Sequence, residues 1–191
     1  MKTDKFQPTG HLEVWKVYPD GTKELHWGDH NVITSGMGVG LSNLFAVSGG
    51  ESIVDYQIVN FQVGVSGDTD DYGVSSYKLQ SPLGGVKPYG VKSFVTIDDL
   101  SPIQNGTVTS SESFVRIPYS NIHKVSKTAV RYTLVLDDAT ANEKDINEVG
   151  LYMRNPAGLS PPSPILVAYR PFEAIKKTQY FTLVFLWTLQ F

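Results

Sequence analysis

The sequence contains no cysteine. That excludes disulfides, thiolate zinc sites and thiol nucleophiles at once. No run of about 18 apolar residues occurs, so no membrane-spanning helix is expected. The first residues, Met1-Lys2-Thr3-Asp4-Lys5-Phe6-Gln7-Pro8, are followed by no apolar core, and no signal peptide is expected. Charge is also scarce. Asp, Glu, Lys and Arg make up 18% of the chain, against a usual share of about 25%. Low charge fits either an aromatic-rich β core or a surface partly covered by other protein. The net charge of -3 comes with no basic patch, so no nucleic-acid partner is expected.

Enzyme signatures are missing as well. There is no G-x-S-x-G elbow. Gly36-Met37-Gly38-Val39-Gly40 lacks the G-x-G-x-x-G spacing, and no Gly-Lys-Ser/Thr follows it. A carboxylate pair for glycoside cleavage depends on proximity in space, and nothing in the sequence points to one. The expectation is a non-enzymatic protein without a cofactor.

What is present suits one domain. A chain of 191 residues buries roughly 70% of its unfolded surface and folds without a metal or cross-link. Residues 12–18 are rich in strand formers. Pro19-Asp20-Gly21-Thr22 reads as a turn, with Pro setting φ and Gly free to take positive φ. Residues 23–27 return as a second strand. Leu12 and Val14 share one face and Trp15 and Val17 the other, so both faces of this hairpin carry apolar groups. One helix is predicted, where Met37, Leu41, Leu44 and Phe45 make a stripe at helical spacing. Thr34 or Ser35 caps it, and Gly36, Gly38 and Gly40 weaken it by about 1 kcal/mol each.

Further strands are predicted at 58–66, 130–137, 146–153, 165–169 and 180–191, with short β-like runs at 93–97 and 113–118. The last strand places Phe181, Leu183, Phe185, Trp187, Leu189 and Phe191 on its odd face. On its even face, Val184 and Leu186 make the middle apolar too. A strand apolar on both faces belongs inside a sandwich or between subunits. The expected fold is all-β, an antiparallel β-sandwich of jelly-roll kind with one short helical insertion. Residues 1–30 form an N-terminal arm and hairpin, and residues 31–191 form the sandwich.

Two clusters offer ligand chemistry. His26-Trp27-Gly28-Asp29-His30 holds two imidazoles and a carboxylate, but its Gly reads as a hairpin end. Asp68, Asp70 and Asp71 resemble the start of a calcium loop without its later glycine and glutamate. Asp137, Asp138, Glu143 and Asp145 form a second acidic loop. No metal is expected in any of them. Trp15, Trp27, Tyr72, Tyr77 and Tyr89 near turns could form a sugar platform, the alternative being core or interface residues.

The C-terminal quarter carries a longer pattern. It contains Ile146-Asn147-Glu148-Val149-Gly150-Leu151-Tyr152, then Ala168-Tyr169-Arg170-Pro171-Phe172 and Ile175-Lys176-Lys177-Thr178. Phe181-Thr182-Leu183 and Trp187-Thr188-Leu189-Gln190-Phe191 close it. This resembles bacteriophage tail, neck and collar or fibre-associated virion proteins, in which an I-x-E-V-G-L-F/Y strand precedes an arginine–proline step, an I-x-K turn and a W-x-I/L-x-F strand. Asn31-Val32-Ile33-Thr34 and Phe61-Gln62-Val63-Gly64-Val65-Ser66-Gly67 are similar to earlier segments of that family. The resemblance spans 31–191 and departs at 87–126 and in the hairpin. It implies a structural virion protein that forms a homo-oligomer, has other virion proteins as partners and brings no catalytic residue. Alternatives are a capsid decoration or head-fibre anchor, a carbohydrate-binding module and a small hydrolase. Within the motif, Gly150 allows close backbone approach, and Arg170 and Lys176 are the expected partners of Glu148, the alternative being that Glu148 points to solvent. Trp187 belongs to the core. Val184, Leu186, Met37 and Leu41 are the expected subunit interface.

Overall fold

The computed structural model describes residues 7–46, 56–65, 73, 78–79, 115–154 and 164–191. The chain is all-β with one short helix, α1 (Ser35–Phe45). The strands are β1 (Thr9–Val17), β2 (Lys23–Ile33), β3 (Ile58–Gly64), β4 (Val115–Arg116), β5 (Ile122–Lys124), β6 (Ala129–Leu136), β7 (Asp145–Met153), β8 (Ile165–Lys176) and β9 (Thr182–Gln190). Every pairing is antiparallel. The order is β4-β3-β7-β8-β2-β1-β9-β6-β5.

The layers expected of a sandwich are thus one continuous sheet that curls into a half-barrel. The join lies in β2. Residues Lys23 to Asn31 pair with β1, and Val32 and Ile33 pair with Tyr169 and Ala168 of β8. β2 therefore serves both halves. The interior between them is one cluster, in which Phe172 of β8 meets Phe185 of β9 at 6.0 Å and Trp27 at 6.1 Å between ring centroids.

Local chemistry explains the elements that the sequence predicts. Gly21 takes φ 85° at the β1–β2 turn, a region closed to most side chains. Thr22 N–H donates to Asp20 Oδ1 at 2.8 Å and closes that turn. Leu183, Phe185, Trp187 and Leu189 are fully buried on the odd face of β9, as period-two alternation predicts.

Several expectations need correction. Residues 26–30 are not a hairpin end but the middle of β2, where pairing with β1 overrides the turn tendency of Gly28-Asp29. Likewise β8 does not stop at 169. It continues through Arg170-Pro171 to Lys176, with Pro171 at a register irregularity where a lost N–H costs little. β5 is a strand that the sequence reading does not predict. The boundary between residues 30 and 31 lies inside β2, and the hairpin strands stand in the middle of the sheet order. On α1, Met37 is buried and Leu41 and Leu44 pack on the core, but Phe45 is 85% exposed. Thr34 is the N-cap residue, yet its hydroxyl donates to the Leu166 carbonyl and not to the helix. The strand expected at 93–97, the acidic loop at 67–72 and Tyr77 and Tyr89 lie outside the described residues.

Candidate functional site

The motif residues Glu148 and Gly150 stand on β7 beside β3 and β8. Gly64 pairs with Glu148, Gln62 with Gly150 and Asn60 with Tyr152. Gly150 also pairs with Tyr169. Partners across a ladder share a face, so these side chains lie together on the face turned away from the main core. That face is nevertheless closed. Asn60 and Glu148 have no exposed surface, and Gln62, Tyr152 and Tyr169 expose 3% or less.

Tyr169 Oη donates to Glu148 Oε2 at 2.8 Å. This pairing overturns the expectation that Arg170 or Lys176 neutralises Glu148. Arg170 Nη2 instead meets Asp29 Oδ2 at 2.9 Å, with its guanidinium 4.8 Å from the Trp27 ring centroid. Lys176 Nζ meets Glu143 Oε2 at 3.0 Å. Glycines make room for the carboxylate: a Cβ on Gly64 would overlap Glu148 Oε1. A Cβ on Gly150 would stand 2.7 Å from both Leu166 Cδ1 and Leu79 Cδ1, closer than real contacts allow. Both amide atoms of Asn60 and Nε2 of Gln62 are buried without a hydrogen-bond partner, a costly arrangement. Sequence reasoning found Glu148 and Gly150 but missed Asn60, Gln62 and Tyr169. The signal for Asn60 and Gln62 was polar residues at alternate positions of the otherwise apolar β3, and Tyr169 on β8 had no such signal.

The remaining expected residues are dispersed. Trp187 is fully buried, and its Nε1 donates to Asn31 Oδ1 at 2.9 Å. Asn31 stands where β2 passes from one half to the other, so two segments of the sequence pattern meet there. Gly10 pairs with Asn31, and a Cβ on it would overlap the Asn31 side chain. Met37 and Leu41 do not lie beside Val184 and Leu186. They line a groove of about 630 Å³ with Gly10, His30, Asn31 and Ile33. α1 packs against β8. A Cβ on Gly36 would strike the Leu166 carbonyl, and one on Gly40 would strike the Met153 sulfur.

Val184 and Leu186 are half-buried on the outer face of β9. Val184 pairs with Trp15 and Val135, and Trp15 pairs with Leu25. Leu25, Trp15, Val184 and Val135 thus form an apolar stripe across four adjacent strands, with Leu186 one step along. Leu25 is 50% exposed. Trp15 Nε1 donates to Glu13 Oε2 at 2.8 Å.

The two histidines of β2 face separate backbone partners: His26 Nε2 lies 3.1 Å from the Glu173 carbonyl, and His30 Nδ1 lies 3.3 Å from the Gly10 carbonyl. Among the described residues no group of three or more His, Cys, Asp or Glu could hold a metal. No helix there is long and apolar enough to cross a membrane.

Fold and site together define an antiparallel all-β protein with a sealed carboxylate seat and an apolar outer stripe. The chain matches no known protein family, curated protein or solved structure.

Proposed function

We propose that the chain is a non-enzymatic structural component of a bacteriophage virion, a homo-oligomer attached to other virion proteins in the tail, neck or collar region. The observation that carries this reading is the stripe of Leu25, Trp15, Val184 and Val135 with Leu186 beside it. Contiguous apolar surface on a sheet face marks a contact with another protein. The sequence pattern that resembles tail, neck and collar proteins supports the same reading, because its Glu148, Gly150, Asn31 and Trp187 are engaged in packing and internal hydrogen bonds. The groove beside Met37 and Leu41 offers a second contact surface on a different side of the sheet.

The test is the position of this chain in an intact particle by cryo-electron microscopy, together with light scattering of the purified protein. The expected result is a symmetric oligomer with the stripe covered. A monomer at high concentration, with no density in any particle, overturns the proposal. Binding of the monomer to a glycan array through Trp15 would establish the carbohydrate-module alternative in its place.

A further inference from the structure

Lysine is almost never fully buried without a charged partner, yet Lys177 has no exposed surface. It follows β8 and is clamped to the β6–β7 loop by two backbone hydrogen bonds. Glu143 N–H donates to the Lys177 carbonyl at 2.8 Å, and Lys177 N–H donates to the Lys144 carbonyl at 2.9 Å. Its Nζ donates to the Thr178 carbonyl at 2.7 Å and to Asn142 Oδ1 at 3.3 Å, and lies 5.3 Å from the Phe181 ring centroid. Among the described residues no carboxylate comes within 4.0 Å of it. An enclosed ammonium with only neutral acceptors is unfavourable, and burial holds its pKa below the usual lysine value.

Asn142 is half-buried and anchored by its own hydrogen bond. Its Nδ2 donates to the Asp138 carbonyl at 2.7 Å, which turns Oδ1 toward the lysine. The residues on either side, Ala141 and Glu143, take φ of 57° and 62°. Such backbone persists only where its surroundings enforce it.

We propose that Lys177 and Asn142 form a side-chain amide cross-link. The neutral Nζ attacks Asn142 Cγ, the Cγ–Nδ2 bond breaks, and the proton lost from Nζ ends on the departing nitrogen, which leaves as ammonia. The product is uncharged, so the enclosed charge disappears. It ties the β6–β7 loop to the β8–β9 corner in a chain that has no cysteine to do so.

The test is the intact mass of the purified folded chain, followed by proteolysis and tandem mass spectrometry. A chain lighter by one ammonia, yielding a branched peptide that joins Asn142 to Lys177, is expected. Lys177→Met and Asn142→Ala should each restore the full mass. If these variants do not fold, the wild-type peptide map decides alone. A folded wild-type chain that keeps its full mass after prolonged incubation at neutral and mildly alkaline pH overturns the proposal. So does an ammonia deficit confined to a linear peptide, such as a succinimide at Asn105-Gly106.

Discussion

Along β9, buried and half-exposed positions alternate, whereas all seven positions of β3 are buried. The half built on β1, β9 and β6 keeps one face for the interior and offers the other to its surroundings. The half built on β8, β7 and β3 is closed on both faces along β3 and the stretches of β7 and β8 that pack beside it, and its second face there is polar. An apolar interior needs only shape complementarity. A buried polar face must also satisfy hydrogen bonds, and Asn60 and Gln62 show that it does so incompletely. The first half should therefore tolerate changes on its outer face, and the second half should tolerate them on neither.

The largest effect should come from the shared interior. Trp187→Ala should cost about 3–5 kcal/mol in urea denaturation, since it opens a cavity and strips Asn31 of its indole donor. A loss below about 1 kcal/mol would mean that the halves do not close over this ring. Next comes Gly64→Ala, expected to cost about 1–3 kcal/mol because the added methyl overlaps Glu148. In a Glu148→Ala background the same change should cost clearly less, and equal costs in both backgrounds would break the link between the two motifs. Tyr169→Phe removes the hydroxyl donor to a buried carboxylate and should cost about 1–2 kcal/mol.

On the open half, Leu186→Asp should lower folding stability by less than about 1 kcal/mol, because the side chain is only half-buried. It should nonetheless dissociate the oligomer in light scattering, since a charge would enter the contact. Unfolding of the isolated chain would show that this face is interior after all. The smallest effect concerns the exposed hairpin. Glu24 accepts from Lys16 Nζ at 2.9 Å and from Tyr18 Oη at 2.8 Å, and the lysine above all holds its pKa below the ordinary value. A lowered carboxylate pKa stabilises the fold above that ordinary range and ceases to do so as pH falls through the folded value. Thermal melts of wild type and Glu24→Gln should thus converge below about pH 4 and differ slightly at pH 7.

The open half was the more legible in sequence. Leu12 and Val14, and the odd residues of β9, declare their face by alternation, and Gly21 declares its turn. The closed half was legible only in its motifs. Glu148 announced itself as a charge in an apolar strand, but its partner Tyr169 is brought in by a cross-strand register that shifts at two places in β7 and β8. No local rule predicts such shifts. Gly28-Asp29 and Pro171 carry turn chemistry, and neighbouring strands overrule it. Nothing local distinguishes Lys124 in β5 from a residue of the turns around it.

The pairing of β1 with β9 along all nine positions also sets an order of events. Strands β3, β7 and β8 pair with one another without β9, but their inner face is completed only when Phe185 packs on Phe172. The β1–β2 hairpin must then wait with one long edge unpaired until Thr182 to Gln190 arrive from the far end of the described chain. Contacts of such separation are slow to form, and a waiting strand edge invites association with the wrong molecule. Production at low temperature and low chain concentration should therefore raise the yield of correctly closed protein far more than any change to the finished fold.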